Sequence, residues 1–290
     1  MYIGSNAYIF KMNIYTKINN KNKFKKLVHQ TYTQCGNLFN QQVDKKIDFS
    51  VWSWYNKGAM DMEKVLKEKE EIIGVEKREI FENFRALLLE YNEKYNLTAI
   101  TDEKEIFYKH FLDSSAGADL FKQNARVAEI GSGAGFPSIV LKILRPDIRF
   151  DLFESVGKKC EFLRVAVDKL SLKEMNIYNL RAEECGRDKN YREKYDHATA
   201  RAVARMNTLS EYCLPFVKVG WSFIAYKGGN AEEITEAKTA YKILGGKCKE
   251  VINYALPYEY GERTLAVIEK TSPTPPKYQR GQGKERKNPL

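Results

Sequence analysis

The chain has 290 residues, 43% hydrophobic and 30% charged, which suits one or two globular domains with a sizeable core. No apolar run reaches the ~18 residues that span a bilayer, and the opening 1–17, interrupted by Asn6, Lys11 and Asn13, is not a secretory signal. The five cysteines, odd in number and without a C-x-x-C pair, suggest neither a disulfide framework nor a metal site, but reduced, buried thiols of a cytoplasmic protein. The net charge of +10 sits at the two ends: nine Lys against two Asp give +7 over 1–59, five cations against Glu285 give +4 over 271–290, and 60–270 carries −1. Basic ends are an electrostatic footprint for nucleic acid, although a charge run alone is ordinary solvated surface.

Residues 1–61 read as an atypical N-terminal extension. Through residue 59 there is no Pro, Glu or Arg but there are eight Asn and eleven aromatics, and no helical or alternating period holds. The expectation is a translated leader with the physiological start at Met60 or Met62, since Lys57-Gly58-Ala59 can be encoded by a purine-rich ribosome-binding run; the competing reading is a basic, aromatic RNA-binding arm. Intact-mass measurement of the protein from its native host decides between them. Residues 62–121 read as an α-helical cap. Val65, Leu66 and Lys69 lead into Ile72 and Ile73, with Gly74 as a stop. Ile80, Phe81, Phe84, Leu87, Leu88 and Tyr91 then share one helical face, and a third helix starts at Thr101 or Asp102 as cap.

From 122 to 270 short apolar runs alternate with amphipathic helices: "RVAEIG", "RFDLFE", "MNIYNLRA", "YDHATARA", "WSFIAYKG", "KEVINYAL" and "TLAVIEK" are strands. The spacing predicts an α/β, doubly wound, Rossmann-like seven-stranded sheet. The last two strands are separated only by "PYEYGE", too short for a crossover helix, so the final strand should run antiparallel to its neighbour. Residues 271–290 form a basic Pro- and Gly-rich tail, expected to be extended or disordered in isolation.

The chemistry concentrates in "VAEIGSGAGFPSIVLK", residues 127–142. Gly131, Gly133 and Gly135 allow a tight turn in which a ligand lies against main-chain N–H groups. A dinucleotide fingerprint needs a glycine where Phe136 stands. An acid, Glu129, followed by G-x-G-x-G instead resembles the turn of class I S-adenosylmethionine-dependent methyltransferases. Glu154 closes the second strand about twenty residues on, where a carboxylate can accept from both ribose hydroxyls. NAD would use Glu154 equally, so glycine spacing and Glu129 alone separate the two cofactors. The third strand ends in "RAEEC", where Ala182 and Glu183 could meet adenine. The fourth ends in "ATARAVA", with Arg201 and Arg205 facing the crevice; a cation there serves an anion, while the plain alternative for Arg205 is a surface helix cap. No Asn/Asp-Pro-Pro-aromatic motif for an exocyclic amine acceptor is present, and Cys213 stands in the wrong order and place for a pyrimidine-attacking thiolate. An unprotonated ring nitrogen such as guanine N7 needs neither base nor thiolate.

"NLTAI", "KHFLDS", "EIGSGAGFPSIVLK", "ESVGKKCEFL", "ARAVA", "YKGG" and "GERTLAVIEK" occur in order across 62–270, and the tail "TPPKYQRGQGKERKNPL" follows. Together they resemble the ribosomal RNA small subunit methyltransferase G family, also called glucose-inhibited division protein B. The resemblance implies N7 methylation of one guanosine, nucleotide 527 of 16S rRNA, in the decoding-region loop of the 30S subunit, with S-adenosylmethionine as cofactor. It implies cofactor contacts at Gly131 and Phe136, ribose binding by Glu154, adenine contacts at Ala182 and Glu183, and Arg201 beside cofactor or target. His110, in "KH-x-x-DS" with Lys109, Asp113 and Ser114, is either catalytic with Arg201 and Arg205 or a satisfied core histidine. Asn96 and Thr98 lie in "NLT". RNA contacts are expected at Asn96, Lys109, Lys227, Lys277, Arg280, Lys284 and Arg286, and Phe136 or Tyr226 is the candidate to stack on the target base. No metal, no membrane and a monomer are expected. Residues 1–59 have no counterpart in the family, and its usual later glycine is Ser138 here. The alternatives are a methyltransferase with another RNA, protein or small-molecule acceptor, a NAD-dependent oxidoreductase, and a non-enzymatic RNA-binding factor.

Overall fold

A computed structural model describes residues 61–229 and 232–290. The extension assigned to 1–61, with its expected start site, therefore lies outside the described residues apart from Asp61.

The cap opens with α1, Met62–Glu71, whose first turn is closed by Asp61 accepting from the Lys64 N–H. The chain does not stop at Gly74. It continues as a π-turn, Ile72–Glu76, with Ile73 buried and the ring of Phe107 over Gly74, and breaks three residues later at Lys77, φ −115°, before α2, Arg78–Tyr95. α2 in turn ends at Asn96, in the left-handed conformation with φ 50°. Asp102 caps the next helical run, accepting from the Glu105 N–H, and that run continues as a π-segment, Ile106–Leu112, to Ser115. Phe81, Phe84, Leu88, Phe111 and Leu112 are among the cap residues buried in the core.

Seven strands follow: β1 Arg126–Ile130, β2 Arg149–Phe153, β3 Met175–Tyr178, β4 Tyr195–Arg201, β5 Val217–Gly228, β6 Gly246–Ala255 and β7 Glu262–Lys270. They form one sheet in the order β3-β2-β1-β4-β5-β7-β6. The first five run parallel, and β7 enters antiparallel between β5 and β6, as the short "PYEYGE" connection requires. Successive side chains point to opposite faces, so Phe150, Leu152, Ile224, Tyr226 and Leu265 join the cap-side core, while Phe153, Phe223, Ala225, Ala266 and Ile268 join the other. Helices α3 Ser138–Leu144, α4 Gly157–Lys169, α5 Ala182–Cys185, α6 Met206–Cys213, α7 Glu232–Glu236 and α8 Lys238–Ile243 connect the strands. Several boundaries differ from expectation, with β5 starting at Val217 and β6 at Gly246, each earlier than the quoted strand. β3 ends at Tyr178, so Ala182 and Glu183 open a helical turn and not a strand end. The helix expected across 231–244 breaks at Ala237.

The tail packs against the protein. The Arg192 guanidinium donates to the carbonyls of Thr274 and Tyr278, and the Gln279 amide donates to the Tyr212 carbonyl. Arg280 closes a two-pronged ion pair on the buried Glu211, and the tail ends in a short helix, α9, Lys284–Lys287. Composition suggested a loose arm; the docking comes from partners far away in sequence. Among the described residues no helix is long and apolar enough to cross a membrane.

Candidate active site

Parallel strands aim their carboxyl ends at one edge of the sheet, and the polar residues singled out at strand ends collect there. At the end of β1 the chain turns through Gly131, Gly133 and Gly135, all with positive φ. The Gly131 N–H is held by the Phe153 carbonyl at 2.8 Å, which ties this turn to the end of β2. Gly135 is fixed by packing: a Cβ there would lie 2.4 Å from Ile139. Gly133 is different. A Cβ at that position would meet only the Gly131 carbonyl oxygen, at 3.9 Å, so no packing contact explains this glycine and its backbone is left bare.

Glu154 follows β2 and borders this turn. One carboxylate oxygen accepts the Gly133 N–H at 2.9 Å and the other the Val156 N–H at 2.8 Å, so the side chain is locked in orientation. Each oxygen retains a further acceptor site. A fixed carboxylate beside a bare glycine backbone fits a ribose diol, so Glu154 and the 131–135 turn are the residues able to hold a nucleoside. Glu129 lies beneath the turn, fully buried, with one oxygen accepting the Ser138 N–H at 3.2 Å at the start of α3. Its second oxygen has no partner among the described residues, and burial pushes the carboxyl up to about 7. Glu129 thus braces the turn from below.

Arg201, the last residue of β4, is the centre of a buried polar cluster. It donates to the Lys109 carbonyl at 3.1 Å, to Asp113 at 3.0 Å and to His110 Nδ1 at 3.0 Å, and its guanidinium lies 5.0 Å from the Phe136 ring centre. Because Arg201 can only donate, His110 Nδ1 accepts and Nε2 carries the proton, which goes to Thr98 Oγ1 at 2.9 Å. The His110 ring stacks on Phe136 at 4.5 Å. Burial, reinforced by the Arg201 charge, lowers its pKa to about 3, so this histidine is neutral. Asp113 also accepts from Tyr254 Oη at 2.8 Å and faces the Arg263 guanidinium at 3.5 Å. Arg263 and Tyr254 went unnoticed in the sequence, although "GERTLAVIEK" on an antiparallel last strand does put Arg263 opposite Gly228, at the carboxyl edge.

The structure brings Glu129, Gly131, Gly133, Gly135, Phe136, Glu154, His110 and Arg201 together. It does not bring Arg205 with them. That residue caps α6, is 71% exposed and pairs with Glu236 at 2.7 Å, its plainer alternative. Lys227 likewise turns to α7, pairing with Glu233 at 3.1 Å and donating to the Ala204 carbonyl. Ala182 and Glu183 are half-buried on α5. Asn96 is the C-cap of α2, and Lys109 pairs with Glu105. In the tail, Lys277, Lys284 and Arg286 are exposed, whereas Arg280 is engaged with Glu211. Neither candidate for base stacking is open: Phe136 is 6% and Tyr226 2% exposed, the latter donating to the Ser114 carbonyl. The thiols of Cys160, Cys185 and Cys213 are buried, and burial raises the pKa of each. Among the described residues no cluster of metal-ligating side chains occurs.

Comparison with known proteins bears on this geometry. The model of a family described as rRNA small subunit methyltransferase G matches residues 77–258. A ribosomal RNA small subunit methyltransferase G of Acetivibrio thermocellus is 46% identical over 208 residues, 71% of this chain and 86% of the relative. Relatives of the same name from Alkaliphilus metalliredigens and Listeria monocytogenes are also 46% identical, over 210 and 213 residues, covering 71% and 72% of this chain and 88% and 90% of theirs.

Proposed function

The chain belongs to the rRNA small subunit methyltransferase G family, and on that premise we propose that it methylates N7 of guanosine 527 in 16S rRNA, with S-adenosylmethionine as methyl donor and the 30S subunit as partner. The observation that carries the reading is an edge of the sheet equipped to bind and orient but not to deprotonate. His110 is neutral, with both ring nitrogens committed to Arg201 and Thr98. Cys160, Cys185 and Cys213 are buried and their thiols are not poised to form a covalent adduct. Guanine N7 carries a lone pair and no proton, so its attack needs neither service.

When bound, the cofactor supplies a methyl group on a sulfonium. The chain's own residues position the reactants, and holding two reactants in line is worth roughly 7–11 kcal/mol of barrier. Glu154 would accept from the ribose hydroxyls, with the Gly133 backbone beneath, and Ala182 and Glu183 would border the adenine. Arg201 has two of its five N–H donors left, one on Nε and one on the guanidinium nitrogen that binds His110. These would take the cofactor carboxylate or guanine O6. Asp113 balances the guanidinium charge, so an arginine is tolerated beside a cationic donor and a purine that becomes cationic as it reacts.

The test uses the full chain, methyl-labelled S-adenosylmethionine and 30S subunits lacking the modification, with label mapped by strand scission at 7-methylguanine. Label at the single guanine is expected. Label at another base, or none while the cofactor binds, would reject the reading in favour of a different methyl acceptor.

A further inference from the structure

With Phe136 and Tyr226 buried, another aromatic surface must be sought to hold the RNA, and one stands on the same edge of the sheet. The turn between β6 and β7 projects past the end of β5, because Gly228 pairs with Arg263 and Ala255 with Glu262. It is closed by the Tyr260 N–H donating to the Pro257 carbonyl and the Leu256 N–H donating to the Gly261 carbonyl. Its two central residues are Tyr258 and Glu259, at φ 53° and 59°. Hairpin turns of this shape favour Asn-Gly, since φ > 0 is costly for a bulky side chain. A tyrosine kept in that conformation, and 73% exposed, is the most exposed large hydrophobic side chain among the described residues. Backbone strain that packing does not require is characteristic of functional positions.

The ring is also braced. Tyr258 meets Tyr108 edge-on at 5.1 Å, and Tyr108 stacks on Tyr260 at 5.0 Å and 18°. Tyr108 donates to Glu70 at 2.9 Å, and Lys109 Nζ lies 5.4 Å from the Tyr260 ring centre. Lys109 joins this platform to the reaction site, because its carbonyl accepts from Arg201 while its side chain lies on Tyr260. Arg263, two residues past Gly261, reaches Asp113.

We propose that Tyr258 is the stacking platform for a base of the single-stranded rRNA loop flanking the methylated guanine, with Tyr108 and Tyr260 as its support and Lys109, itself paired with Glu105, packed beneath. Single-stranded RNA is held by aromatic faces beside basic groups, and any base offers a face to stack. The inference rests on the rRNA methyltransferase reading above. It differs in kind from the phosphate contacts expected of the tail, since stacking is non-ionic and leaves counterion release unchanged.

The experiment compares wild type with Tyr258→Phe, Tyr258→Trp, Tyr258→Leu and Tyr258→Ala in methylation of 30S subunits lacking the modification, with KM for subunits measured at several salt concentrations and cofactor affinity measured separately. The Phe and Trp variants are expected to keep KM within about twofold, and the Leu and Ala variants to raise it roughly 5- to 150-fold, with the same salt slope and unchanged cofactor affinity. An unchanged KM for Tyr258→Ala overturns the proposal. So does a Leu variant equal to Phe, which would indicate apolar packing and not a planar stack, and so does a loss confined to the salt slope. Absence of methylation by the wild-type control would instead reject the reading on which the inference rests.

Discussion

Three residues at the first turn make separable predictions. Gly133→Ala adds a methyl group to open space at φ 56°. It should fold at a cost of about 1–2 kcal/mol for the left-handed backbone yet lose cofactor affinity, as calorimetry would register. Gly135→Ala, whose Cβ collides with Ile139, should fail to fold normally. Glu154→Gln keeps the side chain's size but removes the charge from its hydrogen bonds, and should weaken the cofactor by about tenfold or more. Glu129 and His110 give pH signatures of opposite sign. The carboxyl of Glu129, about 7 when folded against 4.5 ordinarily, contributes stability that is full below about 4.5 and is lost as pH rises to about 7. His110 at about 3, and His197 at about 4, contribute stability that is full above about 6.5 and is lost as pH falls. Thermal melts of Glu129→Gln over this range should therefore lack the first slope and keep the second. An unchanged profile would mean that Glu129 is ionised throughout. The acid, the glycines and Arg201 were legible because strand ends in a parallel sheet face one edge. Arg205 allowed two readings, crevice or helix cap, and the structure takes the cap after a turn with Ala202 at φ 58°.

At the level of elements, the sequence revealed periods but not destinations. Strand alternation and the six-residue link between the last strands announced the sheet and its antiparallel end, since those are local signals. The insertion of β7 between β5 and β6 is a long-range pairing with no local mark. The tail is the sharpest case. Its Pro, Gly and Lys suggested a loose RNA arm, but Arg192 and Glu211, about 80 and 70 residues away, hold it in place. Arg280→Ala would leave Glu211 buried without its cation, costing about 3 kcal/mol and roughly 6–12 °C in Tm. The salt dependence of subunit binding should stay unchanged. Replacing exposed Lys284 should do the reverse, preserving Tm while lowering the salt slope by about one unit for the phosphate no longer neutralised. Differential scanning calorimetry and salt titration distinguish the two; an Arg280 variant that shifts only the slope would return that residue to the RNA.

For the whole molecule, the cap and the sheet share one core and one site. On the cap, Asn92 accepts the Thr98 N–H and Thr98 holds His110; His110 and Asp113 hold Arg201 of β4, and Tyr254 of β6 and Arg263 of β7 hold Asp113. Arg201 is thus fixed by elements spread from residue 92 to residue 263. Everything proposed for the reaction depends on this frame presenting guanine N7 to a methyl donor without acid–base help. The decisive experiment is methylation of 30S subunits reconstituted with 7-deazaguanosine at the target position, alongside subunits carrying guanosine. Both should bind, and only guanosine should accept the methyl group. Transfer to the 7-deaza subunit at the normal rate would contradict the mechanism, because the acceptor would then be an atom other than N7.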